Sequence, residues 1–202
     1  AGPDPEKREA PAFAGSVELA DTAISYTDYA LGDGEPLQLN SQGLSGRVDV
    51  GALLAMARDG RMREAGALRG ALSLRAGVIE GALAFESPDL GRSLTLTGPA
   101  ISGSGLEDHL AAGEAALQYD LAPLLAGRPW QEHVRYVGLH NARGAFTREA
   151  GGGLRLVTAF QDTLGLPKAA PVVDQPPVEA PRFAGRVALE NVSMRYTDLA
   201  AL

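Results

Sequence analysis

Residues 67–86 read Ala67-Leu-Arg-Gly-Ala-Leu-Ser-Leu-Arg-Ala-Gly-Val-Ile-Glu-Gly-Ala-Leu-Ala-Phe-Glu86. Leu68, Gly70, Leu72 and Leu74 alternate with Arg69, Ser73 and Arg75. Beyond Ala76-Gly77, Ile79, Gly81, Leu83 and Phe85 alternate with Glu80 and Glu86. In a strand, successive side chains point to opposite faces, so this stretch predicts an antiparallel hairpin with one apolar and one polar face.

Upstream, Phe13 to Leu19 predicts a strand that continues through Ile24 and Tyr26 after an irregularity at Ala20 to Thr22. Leu31 to Gly34 reads as a turn, and Leu37, Leu39, Val48 and Val50 as two further strands around Gln42-Gly43. Ala52 to Ala65 predicts a helix, weakened at Gly60 and ended by Gly66. Downstream, Leu94 to Thr97 predicts a strand, Gly98 to Gly105 a loop, and Leu106 to Ala112 a short helix with Glu107 and Asp108 in its first turn. Ala115 to Leu121 alternates, Pro123 to Ala126 suits a helical turn, and Val134 to Gly138 a strand. Gly144 to Thr147 and Leu154 to Phe160 flank Gly151-Gly152-Gly153 as a second hairpin. The expected fold class is therefore β-rich α+β, with mostly antiparallel short strands and hairpins and one or two short helices packed on the sheet.

The composition supports this. Of 202 residues, 45% are hydrophobic and 21% charged, which suits a folded chain. Gly 25 and Pro 13 favour turns over a helix bundle. The net charge of −7 argues against a nucleic-acid partner, because phosphate neutralisation needs clustered Lys and Arg. Lys occurs only at Lys7 and Lys168. The absence of Cys removes thiolate chemistry, disulfides and Cys-bound zinc. No apolar run reaches the ~18 residues of a transmembrane segment. Ala1 to Ala10 is polar and does not read as a signal peptide.

An internal repeat organises the chain. Glu9-Ala10-Pro11 and Phe13-Ala14-Gly15 recur as Glu179-Ala180-Pro181 and Phe183-Ala184-Gly185. The match continues through Val17/Val187, Leu19/Leu189 and Tyr26-Thr27-Asp28/Tyr196-Thr197-Asp198, at a constant offset of 170 with 12 of 24 positions identical. Each copy follows a Pro-rich approach of the kind that acts as a semi-rigid spacer. The expected division is a linker at 1–12, a β-rich repeat module at 13–166, a linker at 167–182, and the start of a second copy at 183–202. The second copy carries a strand pattern, Phe183, Val187, Leu189, Val192 and Tyr196, and such a strand seeks a sheet edge in its own chain or in a second copy.

No constellation of catalytic residues emerges. Val187 to Tyr196 resembles the opening strand of an ABC-transporter nucleotide-binding domain, but no G-x-x-x-x-G-K-[ST] cradle accompanies it. Ser102-Gly103-Ser104-Gly105 departs from the nucleophile-elbow pattern. His109, His133 and His140 lack metal-ligand spacing and read as surface or loop residues. Asp21, Asp28, Asp33 and Glu35 do not form a calcium loop and read as turn formers. The Tyr-Thr-Asp trio reads as a core edge with the Tyr hydroxyl at the rim. The expectation is accordingly no enzyme activity, no metal and no cofactor. Interaction candidates are Trp130, a lone indole that also suits packing at the end of the core, and Arg58 and Arg61, which also suit a solvated helix face.

Val17 to Asp28, its second copy, and Leu68 to Gly81 resemble strands of AsmA-like envelope proteins. That resemblance implies a β-rich structure with a lipid-lined groove, linked to phospholipid transport and outer-membrane assembly. It assigns no residue a role. The repeat between Pro-rich linkers is not a feature of that family. The leading expectation is thus a non-enzymatic repeat module of a tandem-repeat bacterial envelope or surface protein, periplasmic or at the cell surface. It would act in structure or protein interaction, by strand addition to neighbouring modules. The alternative is an AsmA-like groove module carrying lipid.

Overall fold

The computed structural model describes residues 15–29, 36–103, 106–150, 153–163 and 183–199. The Pro-rich segments, Phe13, the turn at Leu31–Gly34, Asp33 and Glu35 lie outside these residues. The fold is β-rich α+β. Its strands are β1 (Ser16–Asp28), β2 (Leu37–Asp49), β3 (Gly66–Ala76), β4 (Ile79–Ser87), β5 (Ser93–Gly103), β6 (His109–Ala111), β7 (Glu114–Tyr119), β8 (Val134–His140), β9 (Arg143–Arg148), β10 (Arg186–Glu190) and β11 (Ser193–Asp198). The helices are α1 (Val50–Asp59), α2 (Leu121–Leu125), α3 (Trp130–His133) and α4 (Arg155–Thr163). Among the described residues four short helices stand where one or two were expected.

Among the described residues all eleven strands join one sheet. β1 to β5 pair in sequence order, each antiparallel to the next. β6 and β7 both pair with β5, on its second and first halves, and so form one interrupted line. β8 and β9 continue as the next line, antiparallel to β7 and β6. β10 and β11 form the last line and run parallel to β8 and β9. A parallel pair needs a long connection, and more than 35 residues separate β9 from β10.

The 67–86 stretch forms the β3–β4 hairpin, with Leu72 opposite Leu83 and Arg75 opposite Glu80. Its two-residue turn is Gly77–Val78, and the φ of +54° at Gly77 explains the glycine there. β2 is one strand where two were expected, because a kink between Gln42 and Ser45 absorbs the irregularity without breaking it.

Four other expectations are corrected. The first helix ends at Asp59, because Gly60 adopts a left-handed conformation and its N–H caps the Met56 carbonyl at 2.9 Å. Residues 61–65 then return Met62 and Ala65 to the helical core. Gly98 to Gly103 and His109 to Ala111 are strand rather than loop and helix, since they pair with each other and fill the gap between β4 and β9. Leu154 to Phe160 enters α4 rather than a second hairpin, and only an isolated bridge joins Leu154 to Arg148. Its apolar spacing fits both periods, and local sequence does not arbitrate between them.

The helices gather at the two ends of the strands. Met56, Ala65 and Ala122 form a buried cluster with Leu53, Met62, Leu90 and Leu121, where β2 ends and β3 begins. At the opposite end α4 packs on β9, β4 and β5. There Asp108 is buried, and its Oδ2 accepts from the N–H groups of Thr147 (3.1 Å) and Leu156 (3.3 Å). Asp108→Ala leaves those two donors without this acceptor and is expected to cost about 2 kcal/mol, read as a lower urea midpoint at unchanged slope. Among the described residues no helix is long and apolar enough to cross a membrane.

Candidate functional site: an apolar groove on an open sheet

The core is small for so large a sheet. Among the described residues ten apolar side chains are buried, and six of these are Ala. Large apolar residues remain exposed along the sheet, including Ile24, Tyr26, Leu39, Leu72, Val187, Leu189, Met194 and Tyr196.

Register shows where they lie. One row crosses every line of the sheet: Tyr26, Leu39, Leu74, Gly81, Ile101, Leu110, Gly144 and Met194. A second runs Phe85, Leu96, Ala115, Leu139 and Leu189. A third runs Leu94, Leu117, Val137 and Val187. The opposite face carries Gln38, Asn40, Arg75, Glu80 and Ser102, with an Arg75–Glu80 ion pair at 3.8 Å. Eight lines at ~4.8 Å spacing make an apolar face about 34 Å across.

This face forms a groove of about 420 Å³, within the ~300–1,000 Å³ of small-molecule sites. Leu39, Leu72, Leu74, Leu83, Leu96, Ile101, Leu110 and Leu139 supply its bulk, while Ser73 belongs to the alternate row of Asn40, Ala82 and Ala100 that turns to the opposite face. Such a wall offers burial to a long apolar molecule and few polar partners to anything else. Small residues at Gly81, Ala112 and Ala115 leave the space open.

The face survives the strand irregularities because each is a one-residue insertion. In β1, Val17 and Leu19 precede Asp21, and Ile24 and Tyr26 follow it, so the alternation changes from odd to even at the break. Asp21 takes φ +48° there. Asn191, 170 residues on, takes φ +54°, and Asn141 takes φ +52° between β8 and β9. These three are the only non-glycine residues with positive φ among those described. Asn and Asp tolerate that region best. Around Asn141, Val137, Leu139 and Thr147 match Val187, Leu189 and Thr197 at a constant offset of 50, with Phe146 opposite Tyr196. The sequence thus holds a third, fainter copy of the Val-x-Leu-x-Asn/Asp pattern, whose signal is an offset of 50 rather than 170 residues.

The expected interaction residues are not brought together as one site. Val187, Leu189 and Tyr196 lie exposed on the last line of the sheet, and Val192 sits half-buried at the break between β10 and β11. Trp130 opens α3, 56% exposed, with its ring 6.0 Å from that of Phe183. Arg58 is in the last turn of α1 and Arg61 just beyond it, both exposed. Tyr26 donates to Asp28 Oδ2 at 2.9 Å, and that bond, reinforced by the carboxylate charge, raises its pKa above the ordinary tyrosine value. His109 and His140 stand in strands, His109 exposed and His140 half-buried. His109 Nδ1 lies 3.0 Å from the Glu107 carbonyl, and His140 Nδ1 lies 3.0 Å from Glu190.

Comparison with protein-family models, with curated proteins and with solved structures finds no match to this chain.

Proposed function

We propose that this chain is a groove module that binds and carries acyl chains, as a fatty acid or as the tails of a phospholipid. The observation that carries the reading is the groove wall, built of apolar side chains from Leu39 on β2 to Leu139 on β8. Each buried methylene contributes about 0.8 kcal/mol, so an acyl chain gains affinity by length alone, without a reactive or charged partner. The groove binds rather than reacts, in keeping with a non-enzymatic role. The likeness of Val17–Asp28 and Leu68–Gly81 to AsmA-like strands supports the same reading and a setting in the cell envelope, at the periplasm or cell surface.

A fluorophore-labelled fatty acid tests this. Its emission should rise on adding the chain and fall when unlabelled palmitate competes. An unchanged emission at high protein concentration would contradict the reading.

The 170-residue repeat favours a second role, structural or in protein interaction, within a tandem-repeat protein. The two are separable: a purely structural module gives no signal in the fatty-acid test.

A further inference from the structure

β1 repeats Val187, Leu189 and Tyr196-Thr197-Asp198 of β10–β11 at the same spacing but has a different neighbour. β10–β11 lies parallel on β8–β9, while β1, among the described residues, pairs with β2 alone. We infer that the outer edge of β1 docks on the β8–β9 strand of another copy of this unit, taking there the place that β10–β11 holds in this chain, parallel, with Asp21 opposite Asn141.

The backbone groups fit. The Glu190 carbonyl accepts from the Asn141 N–H, and the Ser193 N–H donates to the Ala142 carbonyl, both at 2.9 Å. Their counterparts in β1 are Ala20 and Ala23. The Gly15 carbonyl faces the β2 side, where it accepts from the Val50 N–H at 3.0 Å. Alternation then turns Ser16, Glu18 and Ala20 outward. Beyond the break, the Ile24 carbonyl accepts from the Ser41 hydroxyl on the β2 side, so Ala23 also faces outward. The groups that hold β10–β11 to β8–β9 are those that β1 presents at its open edge.

The side chains fit as well. The Asn191 amide donates to Asn141 Oδ1 at 3.1 Å. Asp21, an acceptor only, takes a donated bond from the Asn141 amide in the docked pair. Arg148 pairs with Asp198 at 3.4 Å, and Asp28 stands in the place of Asp198. Gly185 passes so close to the Val134 carbonyl that a Cβ would lie 2.6 Å from it, and Gly15 repeats that glycine. In the docked register Val17 and Leu19 extend the apolar rows of Val137 and Leu139, so the groove runs on from one unit into the next.

The test joins residues 1–178 to residues 9–202, which keeps the 170-residue spacing and gives the edges a high effective concentration. Amide exchange in the second β1 should slow at least tenfold against β1 of the single chain, with β3–β4 exchanging alike in both. The native chain lacks Cys, so Asn141→Cys in the first unit with Asp21→Cys in the second should form a disulfide, and Asn141→Cys with Val17→Cys should not. The single full chain with a synthetic peptide of residues 133–149 provides the same readout in trans, where Asn141→Pro in the peptide should abolish protection. Unchanged β1 exchange in both formats, equal cross-linking at 17 and 21, or protection that falls on β10–β11 instead would overturn the inference.

Discussion

Gly66→Val is expected to lower stability by about 4 kcal/mol, seen as a fall in melting temperature on the order of 10 °C. Gly66 has φ +94° and Gly46 φ +147°, on facing ends of β3 and β2. A Cβ on Gly66 would collide with the Arg47 carbonyl, and one on Gly46 with the Ala67 carbonyl. These are backbone atoms held by the sheet, so neither can rotate away. The substitution combines a backbone conformation that side chains avoid, about 1–3 kcal/mol, with overpacking of similar size. Gly98→Ala separates the two. Gly98 also has positive φ, +60°, but nothing lies within 4 Å of its Cβ position. It should lose only about 1 kcal/mol. Equal losses at the two positions, measured by circular dichroism, would show that crowding is not the cause.

Leu72→Glu is expected to reduce fatty-acid affinity by more than about 100-fold while the chain stays folded. Leu72 lines the groove and is 38% exposed, so its carboxylate can reach water in the unliganded protein. An acyl chain would have to desolvate that charge, which costs several kcal/mol. Gln38→Glu places the same charge on the opposite face, opposite Arg75, and should leave affinity within about twofold. Equal losses in the two variants would place binding elsewhere than the groove.

How far the sequence discloses this molecule depends on the element. The β3–β4 hairpin is legible because alternation, charge and turn glycine agree over 20 residues. α1 is legible in kind but not in extent, since its end depends on the left-handed turn at Gly60. His109–Ala111 is not legible: three residues become a strand only because β5 and β9 lie on either side. Leu154 to Phe160 fits both periods, and packing on β9 decides for helix.

The groove was legible residue by residue but not as a site. Leu39, Leu72 and Leu74 each read as the buried face of a strand, whereas Ile101 falls in an expected loop and Leu139 just past an expected strand, and sequence alone does not tell a covered face from an open one. That difference lies in what the helices do, and they gather at the strand ends. The role of Asp21 was half legible. The irregularity at Ala20 to Thr22 shows in the pattern, whereas its equivalence to Asn141 and Asn191 emerges only from the shared backbone conformation.

The most direct test of acyl-chain carriage is a native mass spectrum of the purified chain, before and after incubation with phosphatidylethanolamine–phosphatidylglycerol vesicles. The account predicts a mass excess equal to one or more fatty acids or phospholipids, which also tells the two apart. It predicts that the excess is absent in Leu72→Glu and retained in Gln38→Glu. A bare chain mass in both spectra, or an adduct that persists undiminished in Leu72→Glu, would contradict it.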